Sequence, residues 1–273
     1  MVSLSPESIR DFQDTIYSNY RESGRSFPWR ETKDPYRILV SEIMLQQTQT
    51  DRVVPKYLDW LDRFPNLQAL AEAPFQDVLE RWIGLGYNRR ARYLQEACKK
   101  IADEYAGEFP REARELEKLP GIGKYTSAAV STFAFGIPNA FIETNIRAVF
   151  LFFFFKDETD VHDADIMEAV EATMDRADPR SWYYALMDYG SSLKKRVVNP
   201  NRKSRHYAKQ SRFSGSLRQA RGAIIRHLGK KGNATLQTIA TAEGLPFERI
   251  EEAARSLVSE GMVAEAEGIY GIS

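Results

Sequence analysis

Along residues 6 to about 193, apolar positions recur three and four apart, the spacing that lines one face of an α-helix, and residues 93–105 and 166–174 show it clearly. Helix breaks fall at Asp34-Pro35, Phe64-Pro65, Ala73-Pro74, Gly84-Leu-Gly86, Phe109-Pro110, Pro120-Gly-Ile-Gly123 and Asp178-Pro179. No pair of alternating runs joined by Asn-Gly or Asp-Gly occurs there, so an all-α body is expected over residues 1–193. Beyond residue 215 the pattern reads helix (217–228), helix (235–243), helix (246–260), then two short apolar runs, "GMVAEAE" and "GIYGIS". Three helices closed by a hairpin predict a small winged helix-turn-helix-like module over residues 216–273, with 247–259 as its candidate recognition helix. "PFERIEEAARSLVSEG" carries Glu248, Glu251, Glu252 and Glu260 against Arg249 and Arg255, a balance that suits packing or a protein partner as well as a DNA groove.

A chain of 273 residues, 43% of them hydrophobic, can bury a sizeable core in one large domain or two to three smaller ones. No apolar run approaches the roughly 20 residues of a membrane span; FLFFFF at 150–155 reads as core. The start, MVSLSPESIRDF, lacks a signal-peptide core, so no membrane partner and a cytoplasmic location are expected. A single cysteine, Cys98, with His162, His206 and His227 scattered, supplies neither a disulfide nor a four-thiolate cluster nor a zinc site, and neither metal nor cofactor is expected.

The net charge of zero conceals a segment, residues 194–231, with 13 Lys and Arg and no Asp or Glu. Such a block can be a solvated linker. Its mixture with Tyr207 and Phe213 suits phosphate contact plus base stacking, which makes residues 194–215 a basic arm with Lys194, Lys195, Arg196, Arg202, Lys203 and Arg205 as candidate DNA contacts.

"LPGIGKYTSAAV" at 119–130 places Gly121 and Gly123 between two helical segments. Glycines there permit a tight turn at positive φ and let a phosphate reach backbone N–H groups at the positive end of the following helix, beside Lys124. This is a helix-hairpin-helix pattern, and a packing turn would use the same glycines. From Tyr125 to Glu143 the chain has room for one helix and a short loop that brings a carboxylate back beside the hairpin.

Together "FPWR" (27–30), "DPYRILVSEIMLQQTQ" (34–49), "GLGYNRRAR" (84–92), "LPGIGKYTSAAV" and "ALMDYG" (185–190) make residues 8–195 resemble the helix-hairpin-helix DNA glycosylases, in particular the MutY-type adenine branch. The resemblance implies two helical lobes, one over about 31–135 and one from 1–30 plus 136–193, with a flipped base held in between. It implies Glu42 as the acid that protonates the purine and handles water, and Glu143 where the family keeps an aspartate that stabilises the sugar cation. Glutamate adds one methylene, about 1.5 Å of reach, which an electrostatic role tolerates better than a covalent one; capping the helix that starts near Thr144 is the structural alternative.

Tyr125 stands where bifunctional relatives carry a Schiff-base lysine, and a phenol forms no imine, so a monofunctional enzyme is expected. Tyr125 also matches thymine/uracil mismatch glycosylases. Asn145 matches an active-site asparagine, Gln46 and Gln47 match residues wedged into the DNA stack, Tyr87 matches an aromatic inserted beside the mispaired base, and Arg89 lies in the same motif. The family's iron–sulfur cysteines are missing after "ALMDYG", where Lys194 stands, and the winged module occupies the place of a domain that recognises 8-oxoguanine. The expected partner is double-stranded DNA with a mismatched or damaged base. Adenine opposite 8-oxoguanine or guanine leads, thymine or uracil opposite guanine or another damaged base follows, and a lesion-binding protein without catalysis is the alternative outside enzymes.

Overall fold

The computed structural model describes residues 4–208 and 212–273; residues 1–3 of the N-terminal reading and 209–211 of the expected arm lie outside the described residues. Among those described are fourteen α-helices, α1 Pro6–Ser23, α2 Pro35–Leu45, α3 Thr50–Arg63, α4 Leu67–Glu72, α5 Phe75–Trp82, α6 Arg89–Glu104, α7 Ala113–Leu116, α8 Lys124–Phe135, α9 Thr144–Phe153, α10 Asp163–Thr173, α11 Pro179–Arg196, α12 Leu217–Lys231, α13 Leu236–Glu243 and α14 Phe247–Ser259. One antiparallel hairpin follows, β1 Val263–Ala266 paired with β2 Ile269–Ile272. The all-α reading with a small terminal wing is what the chain forms. Local chemistry sets the starts: Ser5, Asn66, Asp178, Ser216 and Thr235 each accept a backbone N–H of the helix they precede, with Pro at the first turn of α1 and α11. Among the described residues no helix is long and apolar enough to cross a membrane.

Contacts divide the chain into two compact units. The first takes in residues up to 39, 110–118 and 122–208. Its centre is α9, apolar on most faces, with Ile146 and Ala148–Leu151 buried between α10, α11 and the turn at Pro200–Lys203. Phe150 and Phe155 of the FLFFFF run are fully buried while Phe152–Phe154 are half-buried. Phe12 of α1 meets Phe150 and Trp182 edge-on at 5.4 and 5.7 Å; each such side chain contributes about 1.5–3 kcal/mol by leaving water.

"FPWR" and "ALMDYG" meet at a buried carboxylate. Asp188 on α11, 5% exposed, accepts Arg30 Nη1 and Nη2 at 2.8 Å each, and the backbone N and Nε of Arg25 at 2.8 and 2.7 Å. The Arg30 guanidinium also lies 4.5 Å from the centre of the Tyr184 ring.

The expected basic arm is partly folded. Lys194, Lys195 and Arg196 form the last turn of α11, where cations suit the negative helix end. Pro200, Asn201 and Ser204 are buried; Asn201 Nδ2 donates to Thr144 O at 2.9 Å and Lys203 Nζ to Phe155 O at 3.1 Å. Val161 O accepts the Arg205 amide at 3.0 Å, and Arg205 also sits by His162 and Asp160.

The second unit holds residues 40–109, 119–121 and 212–273. Helices α3–α6 pack together, and buried Gln95 on α6 donates to Leu70 O and Ala73 O at the end of α4. The C-terminal helices α12–α14 share one apolar cluster with Leu79 of α5, flanked by Phe75 and Ile83. One acid of this segment, Glu260 at the C-cap of α14, serves packing: it accepts both Arg221 nitrogens at 2.8 and 2.7 Å and lies 2.6 Å from Arg89 Nη2, while Glu251 and Glu252 pair with Arg255 and Arg249 of their own helix. Burial alone would raise the Glu260 carboxyl, but Arg221 and then Arg89 bring it down to about 2.

Candidate functional site

In the first unit, α8 ends at Gly136 in the left-handed conformation, φ 70°, and a braced loop leads to Glu143. Tyr183 Oη donates to Asn139 O at 2.8 Å and accepts the Phe141 amide at 3.2 Å, while its ring stacks on Phe141 at 3.8 Å. The Tyr125 ring, half-buried in the first turn of α8, meets Phe141 edge-on at 5.6 Å.

Glu143 is the N-cap of α9. Its Oε1 accepts Asn145 N and Ile146 N, both at 2.8 Å, and Oε2 accepts Asn145 Nδ2 at 3.0 Å and Thr144 Oγ1 at 3.1 Å. Capping is therefore a fact of the structure, and it leaves the carboxylate half-buried at the positive end of a helix with its orientation fixed by four donors. Behind it, a Cβ on Gly190 of α11 would lie 2.2 Å from Asn145 O, so the glycine of "ALMDYG" lets α11 reach the start of α9. Lys194, one turn further along α11, is half-buried; burial lowers its ammonium pKa while the charge of Glu143 acts the other way. Lys195, Arg196 and Arg202 are exposed.

Glu42 lies in α2, 6% exposed, between buried Ser41 and Ile43. At the end of that helix come Gln46, half-buried, and Gln47, exposed with φ 55°. Tyr87 also has positive φ, 49°, and is 36% exposed, so it is not a core aromatic. Non-glycine residues in this region carry backbone strain that the surroundings must hold.

Arg90 is what holds it. Its Nη1 donates to Ile43 O and Gln46 O at 2.6 Å each, and its Nη2 to Gly86 O at 3.0 Å, tying the end of α2 to the Gly86–Tyr87 turn. Burial pushes this guanidinium down to about 10, still charged at neutral pH. Sequence reasoning singled out Arg89 and missed Arg90. Arg89 is half-exposed and paired with Glu260.

The two hairpin glycines differ. Gly121 has φ +70°, and a Cβ there would lie 2.4 Å from Tyr93 Cβ; the glycine is required by backbone and by packing. Gly123 is extended and caps α8, and a Cβ there would meet nothing within 4 Å, so neither backbone nor packing requires this glycine; Lys124 beside it is exposed.

An iron–sulfur cluster of the kind the resemblance would bring does not fit: the segment after α11 offers lysine and arginine, and Cys98 is sealed in the core of α6.

A helical two-unit chain with a glycine hairpin, a capped carboxylate and a second buried carboxylate defines a class. The HhH-GPD superfamily base excision DNA repair protein model matches residues 40–188, and the chain belongs to that superfamily. It is 40% identical over 141 residues to the adenine DNA glycosylase of Buchnera aphidicola subsp. Baizongia pistaciae, covering 51% of this chain and 40% of that one. With the human enzyme of the same name it shares 38% over 150 residues, 52% of this chain and 28% of the relative. The chain thus spans less than half the length of these relatives. Among solved structures, a thermostable thymine-DNA glycosylase is similar with a TM-score of 0.62 and 30% identity, over 68% of this chain and 87% of that one. A non-covalent endonuclease III–DNA complex shares the fold, with a TM-score of 0.55 and 22% identity over 84% and 98% of the two chains.

Proposed function

We propose that the chain is a monofunctional DNA glycosylase that flips a mispaired adenine, opposite 8-oxoguanine or guanine, out of double-stranded DNA and hydrolyses its N-glycosidic bond. The observation that carries this reading is the Glu143 carboxylate, fixed by four donors in a chain whose adenine glycosylase relatives match it over half its length.

Adenine leaves C1′ readily only once its ring is protonated. Glu42, a carboxyl taken out of water on α2, is the proton donor to the ring and then the base for the attacking water. As the bond stretches, positive charge develops on the sugar. A carboxylate already oriented by its cap stabilises that charge with no reorganisation at the moment of reaction, and Asn145 keeps its partner oxygen in place. The extra methylene of glutamate is taken up in the reach back to the helix start. Tyr125, aromatic and half-buried, bounds the site and offers no amine for imine formation, so strand cleavage is not part of the reaction. Open backbone at Gly123, Lys124 and the exposed Lys195, Arg196 and Arg202 hold phosphates, and Gln46, Gln47 and Tyr87 fill the space left by the flipped nucleotide.

A second reading, thymine or uracil removed opposite guanine, is favoured by Tyr125 and by the similarity to a thymine-DNA glycosylase. Single-turnover excision from duplexes with A·8-oxoG, A·G, T·G and U·G, each read with and without hot alkali, separates the two. The first reading expects release of adenine and strand breaks only after alkali. Release confined to T·G or U·G overturns the adenine assignment, alkali-independent breaks overturn monofunctionality, and no release from any duplex overturns the enzyme.

A further inference from the structure

Within the first unit, one neutral side chain of the cationic segment reaches the start of the helix that Glu143 caps. Asn201, 7% exposed, belongs to the turn Pro200–Lys203, which packs on α9. Its backbone is fixed on both sides: Asn199 Oδ1 accepts the Asn201 amide at 3.1 Å, and Asn201 O accepts the Ser204 amide at 3.0 Å. The side chain is bonded at one end only. Asn201 Nδ2 donates to Thr144 O at 2.9 Å, while Asn201 Oδ1 is buried and, among the described residues, has no hydrogen-bond partner.

We propose that Asn201 is a positioning residue for base excision, acting on Glu143 through the Thr144–Asn145 peptide group. Thr144 O and Asn145 N are the two ends of one peptide group, which is planar and close to rigid. Its N–H donates to Glu143 Oε1 at 2.8 Å. The bond from Asn201 therefore holds the plane from which the carboxylate takes one of its donors, and it polarises that plane so that the N–H donates more strongly. The carbonyl does not need Asn201 for satisfaction, because α9 supplies its ordinary partner four residues on. Stability does not account for the residue either. An orphaned buried amide oxygen costs free energy, and a leucine of similar shape would avoid that cost. An asparagine that stands there at the expense of stability points to a task at the neighbouring site. The turn Pro200–Lys203 is then a brace for the Glu143 carboxylate, whatever its cations contribute to DNA affinity.

The inference rests on the reading of Glu143 as the group that stabilises the sugar cation, and its test separates the two. Asn201→Leu removes the donor and the orphaned oxygen while keeping the volume. It should melt within about 4 °C of wild type, the shift of about one hydrogen bond in a chain of this size. Its affinity for an abasic-analogue duplex should stay close to that of wild type, while single-turnover excision at saturating DNA slows about fivefold to tenfold, the worth of one hydrogen bond expressed as a rate. In a Glu143→Gln background the same substitution should change the rate by less than about twofold, because Asn201 acts through the carboxylate. The Asn145 amide proton resonance of the free protein reads the geometry without catalysis: donating to a carboxylate from a polarised peptide group, it should move upfield in Asn201→Leu. An Asn145 resonance that stays in place, excision at the wild-type rate, an undiminished rate loss in the Glu143→Gln background, or a melting temperature lower by more than about 10 °C, the mark of a packing residue, each overturns the proposal. Failure of the proposal alone leaves Glu143→Gln slow and Asn201→Leu at the wild-type rate, whereas failure of the Glu143 reading leaves Glu143→Gln itself at the wild-type rate.

Discussion

Replacing Asp188 by Asn tests whether the buried ion cluster holds α11 where the site needs it. The Asp188 side chain is 3% exposed and accepts four hydrogen bonds, two from Arg30 and two from Arg25. An amide keeps one acceptor and turns the other position into a donor. Oδ2 faces Arg25 N and Arg30 Nη1, so an amide nitrogen in its place loses two bonds to a charged acceptor. At about 1.5–3 kcal/mol each, and with Arg30 left buried without its counter-charge, the cost is roughly 3–5 kcal/mol. Urea unfolding at neutral pH reads it directly as a lower midpoint at unchanged slope. The pH dependence has a definite sign. Burial alone would raise the Asp188 carboxyl, but Arg30 and then Arg25 bring it below the ordinary carboxylate value. A carboxylate lower in the folded than in the unfolded chain contributes fully above the unfolded value, about 3.9, and loses its contribution as pH falls through the folded one. The gap between wild type and variant should therefore be constant from about pH 8 to about pH 5 and narrow only below about pH 4. A gap under about 1 kcal/mol at neutral pH, the size of a surface pair, or one that closes between about pH 8 and about pH 5, refutes the reasoning.

Glu143→Gln should lower single-turnover excision by about 10²–10³ with DNA binding retained, whereas Glu143→Asp, a good cap with the same charge, should stay within about tenfold of wild type. Gly190→Ala places a methyl 2.2 Å from Asn145 O and should cost about 1–3 kcal/mol of stability, read by thermal melting, together with excision. Arg90→Met leaves the carbonyls of Ile43, Gln46 and Gly86 without their donor; it should lower the unfolding free energy in urea by at least about 2 kcal/mol and weaken binding to abasic-analogue duplexes.

Much of the fold was legible because each helix carries its own signals: period, proline and cap. Asp178-Pro179 marks a boundary in the sequence, and in the structure it starts α11, with Asp178 as the cap. The carboxylate of Glu143 ahead of Thr-Asn could be read both as a cap and as a site, and the cap is real. What stayed hidden depends on distance along the chain. Arg30 and Asp188 are 158 residues apart, so their motifs looked independent. Arg89 and Arg90 are indistinguishable as neighbours, yet helix geometry turns one toward Glu260 and the other into the turn that shapes Gln46 and Tyr87. Charge masked the folded part of the basic segment, where Pro200, Asn201 and Ser204 are buried among exposed cations. Nothing local to α12 showed that it would pack on α5 and wall a cavity with Tyr87.

The central claim is that a buried carboxyl on α2 gives its proton to a departing adenine. Single-turnover excision by Glu42→Gln on an A·8-oxoguanine duplex, alongside its dissociation constant for the same DNA, tests this most directly. The account predicts a loss of about 10²–10⁴ in rate or more, with binding within a few-fold of wild type. Excision at the wild-type rate by a folded Glu42→Gln protein would contradict it.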